Sequence, residues 1–378
     1  MIVLLISILT LIMSLIYSAM MLFLRSGWEK LGLFVLVNKQ FKTSVSVLIA
    51  ARNEENNIDK TISDILSQDY PADLFQLIIV DDHSTDRTAD IVQSYASRGV
   101  KLIRLNEGEM LNSYKKKAIS EAIKFSDAEL IVTSDADCRM GSQWLSTIVG
   151  LYESGDYKLI SSPVAYFQEK NTFEKVQSLE FLFLIGGMGA AGIGNKMPTT
   201  CNGANLAYRR DVFLELKGFQ GIDDLASGDD ELFLHKVALA YPEKIGFCKS
   251  RNAIVYTHAK SNLGSFIEQR RRWASKSTRY KNKSVLLLGV FVWLYNLLFI
   301  FNAIAGFSNP VFWQLCLLSL MLKMFVELII LIPLCSFSGK KELLRYLPLL
   351  SVVHIFYLIF IGIAGNSGKY YWKGRLVR

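Results

Sequence analysis

Leu130-Ile-Val-Thr-Ser-Asp-Ala-Asp137 predicts both a strand and the position of a site. Its apolar start has the pattern of a buried strand, and two carboxylates, two residues apart, follow at the end of that strand. Side chains at this spacing can face one hard cation, because such ions prefer oxygen ligands. The stretch therefore predicts a strand that leads into a metal site formed by Asp135 and Asp137.

Apolar runs and amphipathic segments alternate around this stretch. The predicted strands cover residues 45–50, 77–80, 101–105 and 130–133, and the predicted helices cover residues 54–66, 90–96 and 118–124. Such an alternation is typical of a parallel, doubly wound α/β sheet, in which ligands bind beyond the carboxyl ends of the strands. The alternation ends after Pro163.

A glycine-rich run, Gly186-Gly-Met-Gly-Ala-Ala-Gly-Ile-Gly194, lies beyond the alternating region. It could be mistaken for a dinucleotide-binding fingerprint. However, it does not stand between a strand and a helix, and no ribose-binding acid follows at the expected distance. The sequence predicts a mobile loop or a close-packed helix here.

Two apolar blocks exclude a wholly soluble protein. Of the 378 residues, 51% are hydrophobic and 20% are charged. Residues 2–24 form 23 residues without a charge and residues 285–322 form another 38, whereas roughly 20 apolar residues span a bilayer as a helix. The chain between the blocks has an ordinary globular composition and is long enough for one α/β domain.

The first block predicts an uncleaved membrane anchor. It lacks the positive start, the short apolar core and the cleavage site of a signal peptide. Arg25 and Lys30 follow it and no basic residue precedes it, so the positive-inside rule places its N-terminus outside and the next domain in the cytosol. The cysteines also fit a reducing compartment, since they are five in number without a CxxC pair, which argues against disulfides and zinc.

The C-terminal third contains three apolar stretches, at residues 285–307, 311–334 and 346–365. Lys323 and Glu327 lie four residues apart in the middle stretch and can neutralise each other. Four membrane spans in total would put the basic tail outside, which conflicts with the positive-inside rule. One of the stretches is therefore expected to be re-entrant or interfacial.

The formal net charge is +8, and one stretch supplies most of it. Residues 260–283 contain eight basic side chains and one acidic one, directly before the second apolar block. Cationic residues at such a position meet anionic lipid on the cytoplasmic face of a membrane. We therefore expect a lipid bilayer, and no nucleic acid, as the partner of this stretch.

Three further motifs contain polar or charged side chains that could bind a ligand or take part in catalysis. Asp81-Asp82-His-Ser-Thr-Asp86 follows the second predicted strand, and Gly228-Asp-Asp-Glu231 stands at the start of a predicted helix. Either cluster alone is compatible with helix capping or a turn. Gln269-Arg-Arg-Arg-Trp273 borders the second apolar block, where a basic interfacial helix with a belt tryptophan is the simpler alternative.

Taken in this order, the motifs resemble the membrane-bound branch of glycosyltransferase family 2. That family has a GT-A fold, a Rossmann-like domain for nucleotide-diphospho-sugar transfer, and its pattern is D…DxD…D…QxxRW. Ala50-Ala-Arg-Asn-Glu-Glu55 resembles its first nucleotide loop, and the resemblance covers about residues 43–283. Ceramide and carotenoid-acid glucosyltransferases and poly-N-acetylglucosamine synthases share the layout. Gly228-Asp-Asp departs from the commoner Thr/Gly-Glu-Asp but keeps a carboxylate at both positions.

The resemblance implies a role for each matching residue and a divalent cofactor, Mn²⁺ or Mg²⁺. Asp137 would be the direct metal ligand, Asp135 would lie near the ribose and the metal, and Asp230 would be the general base. The donor, with a UDP-sugar as first choice, would contact Ala50, Arg52, Glu54, Asp82, Asp135, Gln269, Arg272 and Trp273. The acceptor would contact Asn202, Gly203, Asn205 and Trp273. Lys116 and Lys117 would touch the donor phosphates or lie on a solvated helix face.

The predicted organisation is a multi-pass protein of the cell membrane with a cytoplasmic GT-A domain. Its parts are a membrane helix (1–24), the GT-A domain (43–259), a basic interfacial segment (260–284), three apolar stretches (285–367) and a basic tail (368–378). The predicted reaction is inverting transfer of a sugar from a nucleotide sugar to a hydroxyl of a membrane lipid or glycan. The alternatives are a processive polysaccharide synthase, a polyprenyl-phosphate glycosyltransferase and a non-catalytic membrane scaffold.

Overall fold

The chain forms two compact units in the computed structural model, which describes residues 1–106, 113–276, 283–365, 370–372 and 375–377. The sheet unit consists of Leu31–Gln168, Lys196–His258 and Lys369–Arg378. The membrane unit consists of Met1–Lys30, Glu169–Asn195 and Ala259–Gly368. The predicted domain at 43–259 is therefore interrupted by a segment that folds with the apolar helices.

The secondary structure alternates between strands and helices in the first half and is helical toward the end. The strands are β1 (Val45–Ala51), β2 (Phe75–Asp81), β3 (Lys101–Arg104), β4 (Leu130–Asp135), β5 (Arg139–Met140), β6 (Leu159–Ser161), β7 (Val164–Tyr166), β8 (Leu206–Arg209), β9 (Ile245–Phe247), β10 (Val255–Thr257), β11 (Tyr370–Trp372) and β12 (Arg375–Val377). The helices are α1 (Ile2–Lys30), α2 (Ile58–Leu66), α3 (Thr88–Ser94), α4 (Tyr114–Lys124), α5 (Trp144–Glu153), α6 (Thr172–Leu182), α7 (Ala191–Gly194), α8 (Arg210–Glu215), α9 (Glu231–Ala240), α10 (Leu263–Ser275), α11 (Lys283–Ala305), α12 (Val311–Ser338) and α13 (Leu347–Ala364).

The main sheet of the sheet unit has seven strands in the order β3-β2-β1-β4-β8-β6-β9. Its first four strands are parallel, as the alternating pattern predicts. Beyond the alternating region the sheet is mixed, because β8 runs antiparallel to both β4 and β6. The chain reaches β8 through the segment Glu169–Asn195, whose helices belong to the membrane unit. This connection is therefore not the βαβ crossover that leads to a parallel strand.

The register of the parallel strands brings their carboxyl ends to one edge. Ala50 of β1 lies beside Asp135 of β4, and Ala51 lies beside Asp81 of β2. β1 is buried along almost its whole length, as expected for a strand with neighbours on both sides. The predicted motifs after three different strands therefore meet at this edge.

Helix α2 starts later than predicted and leaves a loop at that edge. The loop turns at Asn53, whose φ is 51°, and the amide of Asn57 donates to the carbonyl of Glu54 at 2.9 Å. Ile58, Ile62 and Ile65 then pack into the core. The residues that precede Ile58 are thus held in a turn and not in the helix.

Five helical stretches among the described residues are long and apolar enough to cross a membrane. The stretch that the sequence did not predict as a membrane segment is Thr172–Gly194, in which a π-helical stretch at Phe183–Ala190 links α6 to α7. It packs closely inside the membrane unit, since a Cβ added at Gly27 of α1 would stand 2.1 Å from the carbonyl oxygen of Ala191. Small residues permit such close helix contacts. The alternative of a close-packed helix is confirmed and that of a mobile loop is wrong.

The predicted pair in the middle apolar stretch is present. Lys323 Nζ lies 2.5 Å from Glu327 Oε1 on α12. The same carboxylate accepts hydrogen bonds from Tyr17 of α1 at 2.6 Å and from Ser351 of α13 at 2.8 Å. One neutralised acidic group thus joins three helices of the membrane unit, which is how charged residues are tolerated in apolar surroundings.

Candidate active site

The candidate site lies in the sheet unit, at the edge where β1, β2 and β4 end. Arg52 follows β1, and its Nη1 donates to the carbonyl oxygens of Asp82 and His83, both at 2.8 Å. Glu54 lies two residues further along and is partly exposed. Its carboxylate accepts a hydrogen bond from the side-chain amide of Asn57 at 2.9 Å. The loops that follow β1 and β2 are therefore joined by hydrogen bonds. Ala50, at the end of β1, is partly exposed.

The predicted metal ligands lie at the end of β4. Ligand atoms of Asp135, Asp137 and Cys138 all lie within 4.8 Å of one another. Cys138 is fully buried, burial raises the pKa of its thiol well above the usual value, and a hard cation prefers oxygen to sulfur. The two carboxylates remain as the donor set, and oxygen ligands of this kind suit Mg²⁺ or Mn²⁺.

Lys115 is a site residue that the sequence analysis missed. Its ammonium lies 2.6 Å from Asp135 Oδ1 and 3.2 Å from Asp229 Oδ2, and it thereby joins two of the predicted acidic motifs. Burial alone would lower the pKa of Lys115, but the neighbouring carboxylates outweigh burial and raise that pKa above its usual value. Lys115 is therefore a fixed positive charge beside the candidate metal ligands.

Lys116 and Lys117, which follow in sequence, make contacts outside the candidate site. Lys116 is buried, and its ammonium donates to the carbonyl oxygens of Ile222, Leu225 and Ser227 at 2.5, 2.8 and 2.8 Å. Burial lowers the pKa of Lys116 to about 8. The interpretation of Lys116 as a phosphate contact is thus wrong. Lys117 pairs with Glu121 at 2.8 Å on the outer face of α4, as the alternative predicted.

The rotation of a helix explains this division of three consecutive lysines. Successive residues of an α-helix point about 100° apart, so the three side chains of Lys115, Lys116 and Lys117 cannot serve one site. Ala118 and Ile119 are buried on the sheet side of α4. From the sequence alone, the position of these apolar residues could have identified Lys115 as the lysine at the site.

Asp230 caps helix α9 and stands next to the Lys115 cluster. Its Oδ1 accepts from the amide of Glu231 at 2.6 Å and its Oδ2 accepts from the amide of Gly203 at 3.1 Å. A Cβ added at Gly203 would lie 3.0 Å from Asp229 Oδ2 and 3.4 Å from Lys115 Nζ. Glycine at 203 therefore lets the candidate base approach the charged groups closely.

The predicted acceptor residues before β8 differ in what they can contact. Asn202 caps the turn at Gly203–Asn205, where its Oδ1 accepts from the amide of Ala204 at 2.9 Å. Asn205 is completely buried: its amide nitrogen donates to Pro163 and Ala253, both at 2.7 Å, and its oxygen accepts from Trp144 at 2.9 Å. These contacts use the whole side chain, so Asn205 supports the fold and we leave it out of the proposed acceptor site.

Gln269, Arg272 and Trp273 belong to helix α10 of the membrane unit. The neighbouring Arg270 donates to Glu180 Oε2 at 2.7 Å, and its guanidinium lies 4.2 Å from the centroid of the Trp273 ring. Trp273 also stacks on Phe181, with the ring centroids 6.0 Å apart. The motif is thus held on a packed helix, and its contacts with donor and acceptor stay a prediction. Arg279 and Lys281 of the same basic segment lie outside the described residues.

With the fold and the acidic cluster in place, comparison with known proteins identifies the sheet unit. Residues 46–217 match the family model for glycosyl transferase family 2. This part of the chain is similar to glycosyl transferase family 2. The domain has the GT-A fold: a mannosyltransferase from Pyrobaculum calidifontis, solved in complex with GDP-Man and Mn²⁺, superposes with a TM-score of 0.57 at 17% identity, covering 93% of this chain and 99% of that chain.

Two curated relatives of this chain have names that refer to different acceptors. The chain is 32% identical over 109 residues to a beta-monoglucosyldiacylglycerol synthase of Nostoc sp., which covers 29% of this chain and 23% of that protein. It is 22% identical over 257 residues to a poly-beta-1,6-N-acetyl-D-glucosamine synthase of Staphylococcus epidermidis, which covers 64% and 57%. The chain thus spans less than two thirds of the length of either relative.

Proposed function

We propose that this protein is a membrane-bound, inverting glycosyltransferase that moves a sugar from a nucleotide sugar to a hydroxyl group of a membrane lipid. One observation carries the proposal: Lys115 joins Asp135 to Asp229, and Asp230 stands beside them across Gly203. A candidate cation site, a fixed positive charge and a candidate base therefore lie together at the carboxyl ends of the strands. This is the place where α/β sheets bind nucleotides.

The donor end of the site is built for a nucleoside diphosphate. Asp137 and Asp135 would hold Mn²⁺ or Mg²⁺, which supplies charge neutralisation for the departing diphosphate when bound. Lys115 adds a second positive charge from the protein itself. Arg52, Glu54, Asp82 and Ala50 would line the nucleoside. The GDP-Man and Mn²⁺ complex of the Pyrobaculum mannosyltransferase supports this class of donor, and a UDP-sugar remains our first choice.

Asp230 would act as the general base on the acceptor. Two backbone amides orient its carboxylate at the N-terminus of α9. In a single displacement, the acceptor oxygen attacks the anomeric carbon from the face opposite the leaving diphosphate while Asp230 takes the hydroxyl proton. The anomeric configuration is then inverted, so an α-linked donor gives a β-glycoside.

We propose a lipid as the acceptor, with Asn202 and Gly203 of the sheet unit at its pocket. The contact of Trp273 with the acceptor stays a prediction from the sequence. The diacylglycerol-directed name of the Nostoc relative and the apolar helices of this chain support a lipid acceptor. The name of the Staphylococcus relative favours the second candidate, a processive polysaccharide synthase. A polyprenyl phosphate is already anionic and needs no base, which argues against it given the position of Asp230.

We also infer the path of the chain through the membrane. Strands β6 and β8 are neighbours in one sheet, so the segment between them, which includes α6 and α7, begins and ends on the same side. Lys340, which follows α12, forms an ion pair with Glu169 at the start of that segment. Arg375 in the tail pairs with Asp82 of the sheet unit. Each contact requires its partners to be on one side.

These contacts support a chain that crosses the membrane in α1, α11 and α12. Helices α11 and α12 form a hairpin that turns at Asn309 and Pro310, and α13 returns to the side where it began. Helix α13 is then the re-entrant or interfacial stretch, and the basic tail is cytoplasmic, in agreement with the positive-inside rule. A green fluorescent protein fused to the C-terminus should fluoresce, whereas an active alkaline phosphatase fusion would contradict this path.

The test of the function combines a donor panel with one variant pair. Membranes that contain the protein are incubated with radiolabelled nucleotide sugars and extracted with organic solvent. Label in the organic phase supports a glycolipid product, and label in insoluble polymer supports the synthase. Asp230→Asn should bind UDP and Mn²⁺ normally while transfer falls about 10²–10⁴-fold, and Asp229→Asn is the control, with a smaller loss. Normal transfer by Asp230→Asn would overturn the proposed mechanism.

A further inference from the structure

The C-terminal hairpin of β11 and β12 contacts a residue of the candidate donor site. Arg375 Nη1 lies 2.9 Å from both carboxylate oxygens of Asp82. The Asp82 side chain is only 3% exposed, and its Oδ1 is also 3.0 Å from His83 Nδ1. Both oxygens that a nucleoside would use are thus already engaged by groups of the protein.

Arg375 is held in this position by a second contact. Its guanidinium lies 3.6 Å from the centroid of the Tyr114 ring, at the start of α4. A cation over an aromatic face is stabilised by the ring quadrupole, and a charge-assisted hydrogen bond adds to that. A tail residue far along the chain therefore has two specific, directional contacts at the end of β2.

A second positive charge, that of Arg52, lies near Arg375. Arg52 donates hydrogen bonds to the backbone carbonyl oxygens of Asp82 and His83 in the same loop. Burial lowers the pKa of Arg52, and the charge of Arg375 lowers it further. Arg375 thus holds the carboxylate of Asp82 while Arg52 holds its backbone carbonyl, and both contacts come from within the chain.

We propose that the C-terminal hairpin is a latch on the donor site: Arg375 occupies the nucleoside end and must leave Asp82 before a nucleotide can bind there. The proposal rests on the function proposed above, in which Asp82 contacts the donor. Arg375 then sets the donor affinity without touching the reacting atoms. If the guanidinium instead remained and stacked on the base, Arg375 would be a clamp, and its removal would have the opposite effect.

A latch changes the apparent donor affinity by a simple factor. The measured dissociation constant equals the intrinsic one divided by the fraction of molecules with the latch open. A hairpin that is closed in about nine molecules of ten therefore weakens nucleotide binding about tenfold. Removal of the latch should remove that factor.

The experiment measures UDP and GDP binding by calorimetry in the presence of Mn²⁺, on the full-length protein in detergent. Arg375→Ala should bind the preferred nucleotide about tenfold more tightly than the unmodified chain. The matched control is Arg345→Ala, which removes an equal charge from an exposed arginine that stacks on Tyr346 in the membrane unit. Its affinity should equal that of the unmodified protein.

A second measurement follows the latch without relying on catalysis. Hydrogen exchange of the backbone amides at 370–372 and 375–377 should be faster in Arg375→Ala and Asp82→Asn, and faster in the unmodified protein when UDP is added. Unchanged or weaker nucleotide binding by Arg375→Ala would overturn the latch while leaving the function in place. Failure of every variant to bind either nucleotide would contradict the proposed function itself, and the latch with it.

Discussion

Glu180 of α6 and Arg270 of α10 form a buried ion pair, with Oε2 and Nη2 2.7 Å apart and side chains that are only 6% and 3% exposed. The pair stands directly beside the Gln269–Trp273 motif, because the same guanidinium covers the ring of Trp273. Phe181, the neighbour of Glu180, stacks on that ring. One turn of α6 thus fixes the position of Trp273.

The first prediction concerns this pair. Glu180→Gln should destabilise the protein by about 3–5 kcal/mol, because it leaves the charge of Arg270 buried without a counter-ion. Thermal unfolding in detergent measures the loss. The control is Glu169→Gln, which breaks the ion pair with Lys340 in the same unit but does not touch α10.

A double variant separates stability from activity at the same place. Glu180→Leu with Arg270→Met should recover much of the stability, since apolar replacement of a buried pair is often neutral or better. We expect its transfer to stay low, with a raised KM for the acceptor and normal UDP binding, because Trp273 loses the cation over its ring. Full activity of the double variant would show that the pair serves folding alone.

The parallel half of the sheet and its site were predictable because they depend on local patterns. Strand-length apolar runs followed by acidic residues, as at Leu130–Asp135, report both the strand and the edge where it ends. The mixed half was not predictable, since strands such as Leu159–Ser161 are three residues long and their pairing depends on distant partners.

Contacts between distant segments also explain why other features were not predicted from the sequence. The stretch at Thr172–Gly194 contains charged residues, and the partner of Glu180 lies ninety residues away in sequence. Asn205 has the composition of a binding residue, but three buried partners use up its amide. Whether a polar side chain faces a ligand or the core is decided by packing, which composition does not report.

Lys115 and Lys116 provide the second prediction, since they are adjacent in sequence and differ in task. Lys115→Met should bind UDP with Mn²⁺ more weakly and lose transfer, because Asp135 and Asp229 lose the charge between them. Lys116→Met should instead lower the stability by about 2 kcal/mol or more, because it leaves buried carbonyls without a donor. Calorimetry and thermal unfolding of both variants distinguish the effects, and the opposite assignment would refute this division.

The third prediction concerns the metal. Asp137→Ala should lose about 10²–10³-fold in transfer, and a chelator should abolish activity of the unmodified protein until Mn²⁺ or Mg²⁺ is restored. Cys138→Ser is the control, because a hard cation prefers the carboxylate oxygens to the buried sulfur of Cys138. Full activity in excess chelator would eliminate the cation from the proposed mechanism.

The last prediction tests the interfacial motif through its arginine. We propose that Arg272 clamps the donor diphosphate through paired hydrogen bonds, which the planar guanidinium can form and the ammonium of lysine cannot. Arg272→Lys should therefore lower kcat/KM at least about tenfold, since a hydrogen bond to a charged group contributes about 1.5–3 kcal/mol. Arg271→Lys is the matched control: it makes the same exchange one residue earlier on α10, outside the QxxRW positions, and should leave transfer near normal. Kinetics with varied donor measure both variants under identical lipid conditions. If both variants turn over like the unmodified protein, residues 269–273 form a basic helix that faces lipid, and the diphosphate is held by the sheet unit alone.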